Sequence, residues 1–234
     1  MSAIKCTKCQ GFFLPTDAMG TNFNWSRLFF VQIYYSLDCE SKWVCNECGN
    51  EAPAGYHEMA NTKVAQAIAK LEESGLTPEK CEKFLATYTK VLHPHHAHIL
   101  DVKFSLLNLL GHTQGAAMSQ LSESQLATKE GLARTFLEIA SKILPGISRL
   151  KGSALFELYL VMQQRGIRAM NSLELSPEES LMILKNAFCV LAECIECLQY
   201  EPGHTAEGRM CARAREEQGQ MVQLMQSIQE KVEK

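Results

Sequence analysis

From about His57 onward, apolar side chains recur three and four residues apart, the spacing that gathers them on one face of a helix. Breaks at Gly75, Pro94, Gly111 to Gly115, Pro145-Gly146, Ser176-Pro177 and Pro202-Gly203 divide this pattern into about seven helices. The first, over 57–74, aligns Val64, Ile68 and Leu71 and stops at Gly75. The stretch "LTPEKCEKFLATYTKVLHP" opens the second with Thr77 as cap, Pro78 at the first helical position and Glu79 in the first turn, and Pro94 closes it. A third helix, "HAHILDVKFSLLNLLG", carries the stripe Ile99, Leu106, Leu107 and Leu110. Later helices are predicted over 124–144, 149–170 and 177–200, and from 205 to the C-terminus. Short Pro/Gly connections between helices of this length favour antiparallel neighbours. The fold class is therefore mainly α, an antiparallel helical array similar to tetratricopeptide repeats over 57–234, although no consensus recurs at a fixed period.

The first 53 residues follow a different pattern. "GTNFNWSRLFFVQIYYSLDC" clusters Phe, Val, Ile and Tyr and reads as a strand, a possible hairpin arm for a zinc ribbon. Phe29, Phe30, Ile33, Tyr34 and Tyr35 exceed what a small module can bury, so the segment is expected to form a docking or aggregation surface.

On either side of that segment lie Cys6 and Cys9, then Cys45 and Cys48, two C-x2-C pairs. Each short loop lets both thiolates point at one ion, and four thiolates suit tetrahedral zinc. Such a set fills the coordination sphere, so the zinc is expected to be structural, in a small ribbon or knuckle over 1–53. A glycine follows the second cysteine of each pair, Gly11 and Gly49, where a tight turn can need positive φ. Cys39 and His57 stand close enough in sequence to replace one of the four ligands.

Composition narrows the setting. The 234 residues are 46% apolar, enough for one large domain, alone or with a small module. Net charge is −3 with both signs interspersed, and Met1 to Asn50 holds four basic and four acidic residues, so neither a nucleic acid nor a membrane surface is expected as partner. The opening residues lack an apolar signal core, and the longest uncharged apolar run, 28–37, is too short to span a bilayer. The expectation is a cytoplasmic or nuclear protein, whose ten cysteines serve as metal ligands and reduced core thiols.

Other clusters have plainer readings. "HPHHAH" sets His93, His95, His96 and His98 around a helix break; a histidine cluster can bind zinc or copper, but a helix-boundary role is the expectation. Cys189, Cys194 and Cys197 fall in one helix as small buried hydrophobes, with Cys194 and Cys197 on a shared face. In the last helix Arg209, Arg213, Arg215, Glu216 and Glu217 read as a solvated face in preference to a carboxylate-binding clamp. No nucleophile elbow, P-loop or dinucleotide-binding glycine motif occurs, so no catalytic residue is assigned.

Four segments, "SKWVCNECG", "LHPHHAHILDVKFSLLNLLG", "LPGISRLKGSALFELYL" and "LQYEPGHTAEGRM", resemble in sequence and order the C-terminal region of the SET and MYND domain family, in particular its arthropod branch. The resemblance runs from Lys5 to about Met225. It implies a helical domain that covers one wall of a substrate cleft and docks partner proteins or peptides. In that family a SET domain split by a MYND finger methylates protein lysines with S-adenosylmethionine. Neither the finger nor the Asn-His-Ser-Cys stretch of the catalytic core occurs here, so no catalytic or cofactor residue carries over and the chain alone is expected to be inactive. S-adenosylmethionine is implied only for a protein that also has a SET domain. Relatives join the segments flanking 20–37 by a shorter connection, so 20–37 reads as an insertion. Its Phe, Tyr, Ser and Leu codons are pyrimidine-rich, like the end of an unspliced intron; a spliced transcript that keeps the segment in frame contradicts that reading.

Overall fold

A computed structural model describes residues 3–15, 42–53, 55–113, 116–171 and 176–232. The insertion at 20–37, with its expected strand, and Cys39 lie outside the described residues. Among those described, the protein is mainly helical, with seven α-helices and a small N-terminal antiparallel sheet. The chain forms two compact units, Met1–Leu109 and Leu110–Lys234. The boundary drawn from composition after Pro53 falls inside the first of them.

In the first unit, β1 (Ile4–Lys5), β2 (Phe12–Pro15) and β3 (Trp43–Cys45) form an antiparallel sheet in the order β1-β2-β3. Phe13 sits opposite Ile4 on one side and Cys45 on the other. It is buried with Cys6 and Cys45 against Trp43, Ala52 and Tyr56. Among the described residues of the unit, helices α1 (Tyr56–Glu73), α2 (Pro78–Tyr88) and α3 (Ala97–Leu109) follow the sheet.

The α1 helix buries Ala60, Val64 and Leu71, a spacing of four and seven that follows the helical period. Gly75, at φ +77°, turns the chain beyond its end, and Lys80 Nζ donates to the carbonyls of Ser74 (2.6 Å) and Gly75 (2.9 Å), which have no helical partner. Thr77 caps α2 by accepting the Lys80 N–H, with Pro78 in the first turn as expected. The helix nevertheless stops at Tyr88, well short of Pro94. Beyond Tyr88 the chain leaves the helix to meet the sheet: Leu92 forms a β-bridge with Ile4, and Val91 C=O accepts the Lys5 N–H at 2.7 Å. Fully buried Leu92 and Ile4 outweigh one further helical turn.

In the second unit a short hairpin, β4 (His112–Thr113) with β5 (Ala116–Ala117), leads through a 3-10 turn (Met118–Gln120) into α4 (Glu123–Ile143). Helices α5 (Arg149–Asn171), α6 (Pro177–Leu198) and α7 (Ala206–Val232) follow. Each of these helices packs on the next, and α7 also returns to α5. Ser122 with Gln125, and Ser176 with Glu179, form reciprocal capping boxes that fix where α4 and α6 begin. Leu155, Tyr159, Leu184, Leu191, Leu198 and Met221 are among the side chains that form the core. At Gly152 of α5 a Cβ would stand 2.4 Å from Leu198 Cδ2, so the glycine sets how closely α5 and α6 approach. Among the described residues no helix is long and apolar enough to cross a membrane.

Candidate metal centre

The two C-x2-C loops sit at adjacent corners of the three-stranded sheet. Cys6 follows β1, and Cys45 ends β3 directly opposite Phe13. Antiparallel pairing of β1 with β2, and of β2 with β3, thereby carries both knuckles to one end. The ligand sulfurs of Cys6, Cys9, Cys45 and Cys48 all lie within 4.8 Å of one another. Across the two knuckles, Cys6 Sγ is 3.7 Å from Cys48 Sγ and Cys9 Sγ is 3.4 Å from Cys45 Sγ. A tetrahedron built on zinc–sulfur bonds of about 2.3 Å has sulfurs about 3.8 Å apart, whereas a disulfide would bring two of them to about 2.05 Å. The spacing fits a shared ion.

The backbone supports the same assignment. Lys8 N–H donates to Cys6 Sγ (3.4 Å), Gly11 N–H to Cys9 Sγ (3.3 Å) and Glu47 N–H to Cys45 Sγ (3.4 Å), so three amides offset thiolate charge. Gly49 has φ +67° and is open to solvent, as the knuckle turn was expected to require. Gly11 has another reason to be glycine. A Cβ there would meet Cys45 Sγ at 2.8 Å and Glu47 Cγ at 2.5 Å, so the position needs space beside the sulfurs.

At Cys9 the Gly11 amide favours the thiolate, but burial and the sulfurs of Cys45, Cys48 and Cys6 together push the thiol up to about 12. At Cys45 burial opposes ionisation, yet the amides of Cys48 and Glu47 and the sulfurs of Cys9 and Cys48 outweigh it and bring the pKa down to about 7. Four sulfurs this close cannot all ionise without a counter-charge, and a divalent cation supplies one. Cys6, Cys9, Cys45 and Cys48 together can hold a metal ion such as zinc.

The remaining candidates fall elsewhere. His57 does not join the sulfurs; its ring stacks on Trp43 at 4.7 Å. His93, His95 and His96 lie in the turn before α3 and His98 in its first turn, and no three of them come together as a metal-binding group among the described residues. Cys194 and Cys197 are buried in the core beside Cys211, whereas Cys189 is exposed, contrary to its expected burial, because its place on α6 faces away from α5 and α7. Burial, followed by the neighbouring Cys211 and Cys197, pushes the Cys194 thiol up to about 12, so it is inert at neutral pH.

Arg209 and Arg215 are exposed as expected, but Glu217 is not simply solvated. It accepts hydrogen bonds from Tyr159 Oη (3.1 Å) and Gln163 Nε2 (3.0 Å), while Arg213 lies 5.4 Å over the Phe156 ring and pairs with Glu217. These residues join α7 to α5.

One buried polar cluster was not anticipated from the sequence. Lys129, fully buried on α4, donates to the Leu110 carbonyl (2.8 Å) and forms an ion pair with Glu157 of α5; His112 Nε2 donates to both Glu157 oxygens at 3.2 Å. Burial penalises both charges. At Glu157 the His112 hydrogen bond and the Lys129 charge overcome it and hold the carboxyl below its usual range; at Lys129 burial prevails and lowers the pKa. The sequence signal is Glu157 alone among apolar neighbours in "ALFELYLV".

Between α5 and α6, a cavity of about 340 Å³ is lined by Met162, Gly166, Ala169 and Ile183, with Arg165 and Asn186 as its polar members. Arg165 is engaged by Glu123 and Glu130 of α4. No protein-family model matches the chain, and no curated protein is significantly similar to it.

Proposed function

We propose that the chain is a non-catalytic, zinc-binding, helical protein-interaction region of the SET and MYND type, at work in the cytoplasm or nucleus. The observation that carries this reading is the closed set of four sulfurs. Zinc held by four thiolates has no position left for water or substrate, so its work is to hold the sheet and, through β1, the turn that precedes α3. The metal supplies cross-linking, the Cys6, Cys9, Cys45 and Cys48 thiolates supply the charge, and the amides of Lys8, Gly11 and Glu47 orient the sulfurs. The two C-x2-C pairs, read as metal ligands in preference to a disulfide framework, support an interior compartment. For the helical part, the resemblance of the four segments supports a surface that docks a protein or peptide.

Cobalt substitution tests the site. A four-thiolate centre gives strong sulfur-to-cobalt charge transfer and tetrahedral ligand-field bands that added cyanide or azide leaves unchanged. A spectrum that shifts with those anions means an open coordination position and overturns the structural role.

The alternative reading places these residues in a protein-lysine N-methyltransferase that acts on histone or other proteins, with the helices restricting substrate access. It rests on the segment resemblance alone. Full-length sequencing of the transcript separates the two: SET-coding exons joined to this message favour the enzyme, and a message without them favours the interaction region. S-adenosylmethionine binding by the purified chain contradicts the non-catalytic reading.

A further inference from the structure

The turn between α2 and α3 carries His93, His95 and His96, with His98 in the first turn of α3, and it is also where the cysteine module is fastened. His93 N–H donates to Ala3 C=O at 3.0 Å, Lys5 N–H donates to Val91 C=O at 2.7 Å, and fully buried Ile4 and Leu92 bridge between them. Two of the histidines are held by their own ring nitrogens. His96 is 2% exposed; its Nδ1 accepts the His98 N–H at 3.2 Å and so caps α3, while its Nε2 donates to Asn61 Oδ1 of α1 at 3.1 Å. At His93, Nδ1 accepts the His95 N–H at 3.0 Å, and the ring stands edge-on to Phe12 of β2 at 4.6 Å. Both contacts require a lone pair on Nδ1. A protonated ring would point N–H at N–H, and His96 has little access to water that would relieve it.

We propose that this turn is an acid-sensitive latch, in which protonation of His93 and His96 releases β1 and the cysteine module from the helices of the first unit. The charged and titratable groups that face it reinforce the effect. His95, Lys103 of α3 and Lys5 of β1 act on His93, and His98 and His93 act on His96; every one of them is basic. Asn61 and Phe12, the contacts from α1 and β2, are neutral. Burial first, then these neighbours, hold His93 down at about 4 and His96 at about 3.

The sign follows from linkage. The open turn titrates near 6.5 and the closed turn well below, so the open state takes up more protons as pH falls. The latch therefore has its full stability above about pH 6.5 and weakens progressively below it, down to about pH 4 for the His93 contribution and about pH 3 for that of His96. Between pH 7.5 and 5.5 each histidine should favour opening about tenfold, and the pair about a hundredfold.

Amide hydrogen exchange at Lys5 and His93, measured on the full zinc-loaded chain and normalised for intrinsic exchange, reads this opening directly. Wild type should lose about a hundredfold of protection at these amides between pH 7.5 and 5.5. His96→Asn keeps an acceptor at the start of α3 but does not titrate, so its loss should fall to about tenfold, and His93→Asn with His96→Asn should abolish it. A double variant that keeps the wild-type acid response places the titration elsewhere, foremost on the thiolates, and overturns the proposal; so does wild-type protection that changes less than about threefold. Should the variants fail to fold, the ring resonances of His93 and His96 in wild type decide the matter. Midpoints below about 5 are expected, and midpoints near 6.5 overturn the latch.

Discussion

Lys129 and Glu157 show how far a side chain's surroundings can depart from its type. Both are charged, both are buried, and they meet although they are separated by 28 positions in the chain. Removing one partner leaves the other uncompensated in a low-dielectric interior, so Lys129→Met should cost about 3–5 kcal/mol, measured by urea unfolding. Replacing both by apolar residues of similar size should cost much less than the sum of the single changes, and strict additivity would show that the pair is not coupled. Thiol reactivity gives a second check. Cys189 is exposed while Cys194, Cys197 and Cys211 are buried, so in the native protein iodoacetamide should modify Cys189 and spare the other three. The four metal-site cysteines were legible because C-x2-C places its ligands by local geometry. Lys129 was not, because its position with Leu126, Ala133 and Phe136 on the buried face of α4 acquires meaning only when α5 supplies the carboxylate.

Helix starts were the most legible local feature. Thr77-Pro78 and Ser176-Pro177 carry their capping chemistry within four residues, and both caps form. Ser176→Ala should destabilise the second unit by about 1 kcal/mol, as seen in its thermal midpoint. Helix ends were harder to read. Nothing local stops α2 at Tyr88; the competing partner, β1, lies more than eighty residues upstream. Gly152 is a related case, since a glycine inside a helix pattern reads as a weakness until Leu198 is found against it. Gly152→Val should therefore cost more than its loss of flexibility would suggest, about 1–3 kcal/mol from overpacking between α5 and α6. A stabilised variant at that position would mean the two helices separate freely.

The two units should respond differently to loss of metal. With chelator, the four sulfurs lose their shared cation, the sheet loses its cross-link, and the β1 attachment to the turn after α2 goes with it. Hydrogen exchange should then rise through the first unit and stay unchanged in α4 to α7, whose core contains none of the metal-site cysteines. Uniform loss of protection along the chain would contradict this independence. Composition changes near Pro53 and so suggested that the module stands apart from the helices. What joins them is a backbone pairing between distant segments, and no local pattern announces such a pairing.

That joint has a practical consequence for mutagenesis. Its hydrogen bonds run from Lys5 N–H to Val91 C=O and from His93 N–H to Ala3 C=O, and neither uses a side chain. Alanine scanning would pass over them without a signal at Lys5. A proline scan is the informative probe: Lys5→Pro deletes a donor that no other substitution can remove.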